Sequence, residues 1–276
     1  MKAFLEENLQ HVREKYKQWK LSDIQWNVGS AQLPLSQMVI DKKIPYFADV
    51  LDIACGAWQN SIMLALNYMN VVSFDIMDDI LIKTKQFFDM HNLDIKLFKA
   101  DLLHMPFCDD SFDVALDSFI YHDLKADARI PYIKEVYRVL RPGGKFIFFS
   151  FSDSMEKKNW PWPERVTSSD IQNTILKYFE CEELRIFDNF PALDKPNQKH
   201  WFGIFKKPIV NTKTLKAFSN TAPKTPIRWQ FYWDINKKLK CVHCNKSFSI
   251  THNKELECTH CHHVFHKTND IPWLLI

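Results

Sequence analysis

The stretch from Val50 to Trp58, VLDIACGAW, constrains the fold of this chain more than any other. Val50–Ala54 is a short and mostly apolar run, typical of a strand that is buried on both faces of a parallel sheet. Gly56 follows it, and Ser61–Tyr68 then has the pattern of a helix. A strand that runs through a glycine turn into a helix presents backbone N–H groups to a crevice. Because Asp52 would repel a pyrophosphate there, the loop favours a nucleoside ligand without phosphate.

Beyond this stretch, strand and helix patterns alternate, which predicts a doubly wound α/β sheet with helices on both faces. We expect strands near residues 49–54, 71–75, 95–99, 112–117 and 144–151. Helices are expected near residues 59–69, 78–91 and 127–140, and Pro142–Gly144 predicts a turn before the fifth strand. A helix over Ser168–Phe179 and strands over Glu182–Phe187 and Trp201–Lys206 would complete a seven-stranded sheet.

The ends of the chain differ from this central part. Residues 2–20 repeat apolar positions at helical spacing, and a second helix is expected over Leu35–Tyr46, so residues 1–47 form an N-terminal helical cap. Residues 208–236 lose apolar periodicity and are interpreted as a linker. Residues 208–276 contain 10 Lys+Arg and 4 Asp+Glu, a net charge of +6, whereas the first 207 residues contain 26 and 29, a net charge of −3.

Composition limits the class of protein. The chain has 276 residues, of which 46% are hydrophobic, so it can bury a substantial core. Its apolar runs are far shorter than the roughly 18 residues of a membrane span, and the mixed charges at its start do not fit a secretory signal. Seven cysteines, four of them in two Cys-x-x-Cys pairs, argue against a disulfide scaffold and predict a reducing compartment such as the cytoplasm.

Several stretches together resemble class I S-adenosylmethionine-dependent methyltransferases. VLDIACG is similar to their first motif, although Gly56 is the only glycine that it keeps. The second, third and fourth strand motifs resemble, in order, Val71–Asp75, Phe98–Leu102 and Phe112–Asp117. Glu135–Phe149, EVYRVLRPGGKFIFF, is similar to the ubiquinone-biosynthesis-like branch. The order and spacing of these stretches make the resemblance specific, and it covers about residues 48–207.

The resemblance implies S-adenosylmethionine as cofactor, bound at the carboxyl ends of the strands. In that family the acid that ends the second strand accepts the ribose hydroxyls, a role that would pass to Asp75, with Ile76 against the adenine. Asp101 would accept the adenine amino proton while Leu102 packs on the ring, and the methionine part would lie near Asp117 and Ser118. The floor of the site would be formed by Asp52, Ala54, Cys55 and Gly56.

A methyl acceptor that carries a proton in its reactive form needs a base. His122 follows the fourth strand, in a loop that would face the acceptor, and is the candidate catalytic residue. A histidine that only fixes the loop is an equally good interpretation. His200 is expected at the mouth of the acceptor site.

The two cysteine pairs form a second candidate site, separate from the cofactor site. Cys241 and Cys244, then Cys258 and Cys261, have the spacing of two knuckles that hold one zinc ion. A redox pair is the alternative. A nearby histidine could also replace a cysteine as ligand, the candidates being His243, His260, His262, His263 and His266. Residues 237–276 resemble the small zinc-ribbon subunit that activates several methyltransferases acting on RNA and release factors. We expect this ribbon to pack on the catalytic domain of its own chain.

The resulting expectation is a methyltransferase of residues 48–207 joined to a zinc ribbon. A small-molecule acceptor is slightly favoured, because the core resembles quinone-biosynthesis-like enzymes and lacks the Pro-Pro motif of amino-group methylases after Asp117. The basic tail instead suggests RNA or a translation protein as acceptor. A non-catalytic binding module that retains the fold is the alternative from another class.

Overall fold

The computed structural model describes residues 29–155, 164–188, 199–209, 248–250, 256–262, 264–265, 267–268 and 271–272. Three expected features lie outside the described residues: the helix within residues 2–20, the linker beyond residue 209 and the first cysteine pair.

A seven-stranded sheet forms the centre of the fold, with the strand order β3-β2-β1-β4-β5-β7-β6. Its strands are β1 (Asp49–Ile53), β2 (Asn70–Asp75), β3 (Lys96–Lys99), β4 (Phe112–Ser118), β5 (Leu140–Phe151), β6 (Glu180–Asp188) and β7 (Lys199–Lys206). The first five pair in parallel, whereas β7 is antiparallel to both β5 and β6. This is the expected seven-stranded methyltransferase sheet with its last strand inserted antiparallel. The amino end of β7 therefore lies at the same edge of the sheet as the carboxyl ends of β4 and β5.

Five α-helices lie among the described residues: α1 (Leu33–Ile40), α2 (Gln59–Leu66), α3 (Asp78–Met90), α4 (Ala126–Val139) and α5 (Ser168–Asn173). Short 3₁₀ helices cover Tyr121–Asp123 and Ile175–Lys177. Helix α1 ends at Ile40, six residues before the expected end. The helix expected over Ser168–Phe179 is broken at Thr174, which leaves helical geometry with φ −123° and ψ −73°.

Strand β5 begins earlier than its sequence suggests. The helix before it ends at Val139, and Leu140 already pairs with Phe112 of β4. The expected turn at Pro142–Gly144 is instead an irregularity within the strand, where the register with β4 shifts and Gly143 adopts φ +80°. Lys207 holds this irregularity, because its backbone carbonyl accepts the N–H of Gly143 and its own N–H binds the carbonyl of Gly144, at 2.8 and 2.9 Å.

Two apolar cores cover the two faces of the sheet, and each strand supplies alternate residues to them. Leu51 and Ile53 belong to one cluster and Val50 to the other. In the same way Phe148 lies in the first cluster and Phe149 in the second. Near-continuous apolar strands are therefore buried on both sides, as a parallel sheet requires.

Ion pairs lock the amino ends of the central strands. Arg141 binds the carboxylates of Asp49 at the start of β1 and Asp113 near the start of β4. Asp113 also accepts the backbone N–H of Asp49 at 2.8 Å, and the Asn70 amide donates to Asp49 at 3.0 Å. These side chains tie the four neighbouring strands β2, β1, β4 and β5 together at the end of the sheet opposite the expected site.

The described tail residues form two small antiparallel sheets. One has the order β10-β9-β8, with β8 (Phe248–Ile250), β9 (Leu256–Cys258) and β10 (Val264–Phe265). The other pairs β11 (Lys267–Thr268) with β12 (Ile271–Pro272). No helix in the described part of the chain has the length and apolar character needed to cross a membrane.

Candidate cofactor and acceptor site

The loop between β1 and α2 has left-handed backbone at alternate positions. Ala54, Gly56 and Trp58 adopt φ values of 50°, 50° and 61°. This conformation is free of strain only for glycine and costs roughly 1–2 kcal/mol at other residues. Trp58 is held there by packing, since its buried ring stacks on Phe87 with centroids 4.9 Å apart. The loop thus adopts a backbone that favours glycine at three positions, of which only Gly56 is a glycine.

Asp52 lies in β1 with its carboxyl group buried beneath this loop. Its Oδ2 accepts the Ser61 hydroxyl at 2.5 Å, and the Ser61 and Ser73 oxygens are 2.8 Å apart. Its Oδ1 is buried without a hydrogen-bond partner. Burial raises the pKa of Asp52 to about 7, and the neighbouring carboxylates of Asp75 and Asp117 act in the same direction.

Asp75 ends β2 and braces the glycine loop. One carboxylate oxygen accepts the N–H of Gly56 at 3.1 Å, and the other accepts the N–H of Met77 at 3.0 Å. Burial raises its pKa, while these backbone donors oppose the shift. Because an ionised carboxylate offers about four acceptor positions, Asp75 can still accept ribose hydroxyls. Ile76, expected against the adenine, follows it and packs against the second core cluster.

The third expected position lies at the end of β3, next to Asp75. The N–H of Ala100 donates to the Asp75 carbonyl at 3.1 Å, which joins the two strand ends. Asp101 follows and accepts the N–H of Leu103 at 2.8 Å, with its other oxygen 3.5 Å from His104 Nδ1. Leu102 is partly buried against the first core cluster.

Asp117 lies near the end of β4 and is completely buried. It accepts the N–H of Ile120 at 3.0 Å and the Tyr132 hydroxyl at 2.9 Å. Burial raises its pKa to about 7 despite these donors. Ser118, the next residue, is partly exposed at the strand end.

The register of the sheet brings the buried acids together. Ile53 of β1 pairs with Phe74 of β2 on one side and with Asp117 of β4 on the other. Cys55 lies among them, and burial raises the pKa of its thiol well above the usual range, with Asp75 and Asp52 adding to the effect. Among the described residues, none of the ion pairs includes Asp52, Asp75 or Asp117. The site therefore has a concentration of carboxyl groups that favours a cationic ligand.

A second group of side chains lies where β4, β5, β6 and β7 end or begin at this edge. His122 and His200 are both buried, with exposed fractions of 4% and 1%. The His200 ring contacts Phe119, Phe151 and Phe187, with centroids 4.9, 5.0 and 5.6 Å away. The His122 ring lies 4.4 Å from Phe151. We call these five residues the histidine cage.

The cage histidines are neutral at pH 7. Burial lowers the pKa of His122 to about 3 and that of His200 to about 4, and the charge of Arg165 contributes to both shifts. Nε2 of His122 lies 3.2 Å from the carboxylate of Asp123, but its Nδ1 has no hydrogen-bond partner. Both ring nitrogens of His200 also lack a partner. Tyr121, the residue before His122, directs its hydroxyl to Thr174 at 2.7 Å.

Sequence reasoning named the acids and both histidines, which the structure places at the same end of the sheet, but it did not name the phenylalanines. Phe119 lies two residues after Asp117, and Phe151 is the last residue of β5, so their positions at strand ends could have indicated them. It also missed Ser61 and Tyr132, the side-chain donors to Asp52 and Asp117. These lie in helix patterns, where nothing in the sequence distinguishes a donor to a carboxylate from a surface or core residue.

The second cysteine pair is part of a tight turn. The Sγ of Cys258, which is buried, accepts the backbone N–H groups of His260 and Cys261 at 3.4 and 3.5 Å. Backbone donors of this kind stabilise the charged form of an acceptor. Within the described part of the chain no cluster of three or more potential metal ligands occurs. Cys241 and Cys244, the other two expected ligands, lie outside it.

Comparison with known proteins agrees with the fold. Residues 50–144 match a family model described as a methyltransferase domain. The chain is 22% identical over 160 residues to the 2-heptyl-1-hydroxyquinolin-4(1H)-one methyltransferase of Mycobacteroides abscessus, which covers 58% of this chain and 70% of that protein. It is 38% identical over 84 residues to a ubiquinone/menaquinone biosynthesis C-methyltransferase of Dinoroseobacter shibae, which covers 29% of this chain and 32% of that protein.

A solved structure shares the fold over a longer span. It is the 1,6-didemethyltoxoflavin-N1-methyltransferase of Burkholderia thailandensis with bound 1,6-didemethyltoxoflavin and S-adenosylhomocysteine. The two chains superimpose with a TM-score of 0.58 at 16% identity, covering 75% of this chain and 88% of the other.

Proposed function

We propose that this chain, an S-adenosylmethionine-dependent methyltransferase, transfers its methyl group to a small molecule bound at the histidine cage. The observation that carries the proposal is the group of buried carboxyls of Asp52, Asp75 and Asp117, which take part in no ion pair among the described residues. S-adenosylmethionine has a sulfonium and an ammonium group, and its ribose offers two hydroxyl donors. Its chemistry therefore matches the acids and the unpartnered Oδ1 of Asp52.

The cofactor supplies a methyl group that is already activated by the positive sulfur, so the main task of the protein is alignment. We assign the ribose to Asp75 with Ile76 beside the adenine, and the adenine amino group to Asp101 with Leu102 on the ring. Asp117 and Ser118 would hold the methionine part. The floor would consist of Asp52, Ala54, Cys55 and Gly56.

His122 is the proposed catalytic residue for an acceptor with a dissociable proton. Its neutral ring has an unpartnered Nδ1 that can accept this proton. Because burial holds its pKa at about 3, it accepts a proton only from a strongly acidic group. An acceptor atom becomes strongly acidic once methyl transfer has withdrawn its electron density, so proton removal would follow or accompany the transfer.

Three observations support a small-molecule acceptor. The relatives are named for a quinolone and for quinones, and the solved structure holds 1,6-didemethyltoxoflavin. The cage is lined by phenylalanines and its two histidines are buried, which suits a small apolar ring better than a macromolecule. RNA or a translation protein is the second candidate, favoured by the net charge of +6 on residues 208–276.

The non-catalytic alternative rests only on the loss of glycines from the first loop. The retained left-handed backbone of Ala54 and Trp58 argues against it, because strain of this kind persists where function requires the conformation.

We further propose that the tail binds one zinc ion through Cys241, Cys244, Cys258 and Cys261. The two backbone N–H groups at the Cys258 sulfur support a thiolate there. The zinc ribbon would lie against the catalytic domain of the same chain. Cα atoms of β12 lie within 8 Å of residues of α3 and of β3, the edge strand of the large sheet, which supports this arrangement.

Calorimetric titration with S-adenosylmethionine tests the cofactor site. Asp75→Asn is expected to weaken binding by roughly 1.5–3 kcal/mol, because the amide has one acceptor oxygen where the carboxylate has two. Asp89→Asn, on the exposed face of α3, is the matched control and should bind as the native protein does. Unchanged affinity in Asp75→Asn with an intact fold would remove Asp75 from the site.

The acceptor class is tested by transfer of a labelled methyl group to cell extract separated into small molecules, RNA and protein. Label in the small-molecule fraction is the expected result. Label in RNA or protein would favour the second candidate, and binding of the cofactor without transfer to any fraction would favour the non-catalytic one.

A further inference from the structure

The histidine cage is an unusual environment for two polar rings. His200 is 1% exposed and is surrounded by Phe119, Phe151 and Phe187. Its two nitrogens and Nδ1 of His122 are buried polar atoms without a hydrogen bond. Nearly all buried polar groups in folded proteins have a partner, and one without it costs about 1–3 kcal/mol. Three such atoms in one cluster therefore need an explanation.

The cage adjoins the proposed cofactor site. Phe119 follows Asp117 by two residues, and its backbone N–H donates to the carbonyl of Phe149 at 3.1 Å. His200 pairs in register with Phe151 of β5 and with Phe187 of β6. The cage is thus built at the carboxyl end of β4, immediately beside the acid proposed to hold the methionine part of the cofactor.

The two histidines differ in what they can still bind. Nε2 of His122 lies 3.2 Å from Asp123 Oδ1. His200 has no such contact at either nitrogen. A neutral imidazole has one N–H donor and one acceptor nitrogen, so His200 can both accept and donate a hydrogen bond.

We propose that His200 determines acceptor specificity, by accepting a hydrogen bond from the O–H or N–H group of a flat aromatic molecule whose rings pack on the cage phenylalanines. The aromatic contacts supply apolar area and edge or face contacts, and His200 supplies the polar contact that orients the molecule. This inference rests on the proposed function and names the chemical class of the acceptor.

The test is calorimetric binding of 2-naphthol to the full chain, with 2-methoxynaphthalene as the matched probe that has no O–H. In His200→Leu, binding of 2-naphthol should weaken about 2- to 12-fold, the range for one lost hydrogen bond. Binding of 2-methoxynaphthalene should not weaken. His200→Gln, which keeps an acceptor oxygen, should recover part of the lost affinity, and exposed His91→Leu is the control variant.

Thermal unfolding provides a second readout that a purely structural residue would not give. Since His200→Leu removes two buried unpartnered nitrogens, it should raise the Tm of the free protein by about 2–4 °C while it weakens 2-naphthol binding. A lower Tm, or equal affinity of the variant for 2-naphthol, would overturn the inference.

Titration of the same variants with S-adenosylhomocysteine separates this inference from the proposed function. Unchanged affinity for S-adenosylhomocysteine with reduced affinity for 2-naphthol supports the inference. If the native protein binds S-adenosylhomocysteine but not 2-naphthol, the inference fails and the cofactor site stands. If it binds neither, the proposed function fails.

Discussion

At the scale of single residues, Asp52 and Asp117 make the site sensitive to pH. Their pKa values are raised to about 7 in the folded chain, chiefly by burial, from an ordinary value of 3.8. The folded protein therefore holds protons between about pH 4 and 7 that the unfolded chain has released. The stability that they contribute is present below pH 4 and is lost as the pH rises through 7.

Burial favours the protonated form of these carboxyls, whereas binding of a cation favours their ionised form. The affinity for S-adenosylmethionine is therefore expected to rise between pH 6 and 7 and then level off, with proton release on binding. S-adenosylhomocysteine lacks the sulfonium charge and should release fewer protons. Calorimetry in buffers of different ionisation enthalpy measures this difference, and Asp52→Asn should reduce it. Equal proton release for the two ligands would mean that the acids do not face the sulfur.

The positions of these acids could be expected from sequence, because each lies at or near the end of a predicted strand. Their electrostatic state could not. The pKa of Asp117 depends on its complete burial and on the hydroxyl of Tyr132, fifteen residues away in α4. Only the packing of α4 on the sheet brings that hydroxyl to the carboxylate.

At the scale of elements, Arg129 joins α4 to the segment that begins α5. Its buried guanidinium donates to Glu164 at 2.8 Å, to Asp170 at 3.0 Å and to the Leu124 carbonyl at 3.2 Å. It also lies over the Tyr121 ring, 4.9 Å from the centroid. These contacts hold the 3₁₀ helix that contains His122 against both helices.

Arg129→Leu is expected to lower the free energy of unfolding by about 2–4 kcal/mol, since it breaks a buried, multiply bonded charge. Arg129→Lys should recover little, because an ammonium cannot bind these acceptors in the planar arrangement of a guanidinium. Urea unfolding measures the free energy of unfolding of both variants. Arg185→Leu, which removes an exposed pair with Glu183, is the control and should cost less than about 1 kcal/mol. Equal losses in the two leucine variants would contradict the joining role.

The bounds of an element were predicted well where apolar periodicity determines them. They were predicted poorly where a residue remote in sequence determines them. The strands β1, β2 and β4 lie within a residue or two of their expected bounds. The early start of β5 depends on pairing with β4 and on Lys207, which is remote in sequence. The break at Thr174 likewise accompanies the bond between its hydroxyl and Tyr121, which helical periodicity does not encode.

At the scale of the whole molecule, the proposed ribbon and catalytic domain should stabilise each other. Cys258→Ser with Cys261→Ser in the full chain is expected to abolish binding of one zinc ion per chain. It should also lower the Tm of the catalytic domain, because a tail that no longer folds cannot cover the edge strand β3. Metal analysis measures the zinc content, and thermal unfolding measures the Tm. Cys181→Ser, outside the tail, should change neither zinc content nor Tm.

Loss of zinc with an unchanged Tm would keep the metal site and exclude the packing of the ribbon on its own catalytic domain. Retention of zinc in the double variant would show that the ligands are elsewhere.

The bonds of Arg141 with Asp49 and Asp113 lie at the amino ends of the strands, whereas the unpartnered atoms of Asp52 and His200 lie toward the carboxyl ends. One end of the sheet therefore secures the fold, and the other is left available for chemistry. Substitutions among the residues that follow β4 and β5 can change which molecule is modified while the securing end keeps the protein folded. During evolution, the acceptor can therefore change by mutation without a prior gain in the stability of the fold.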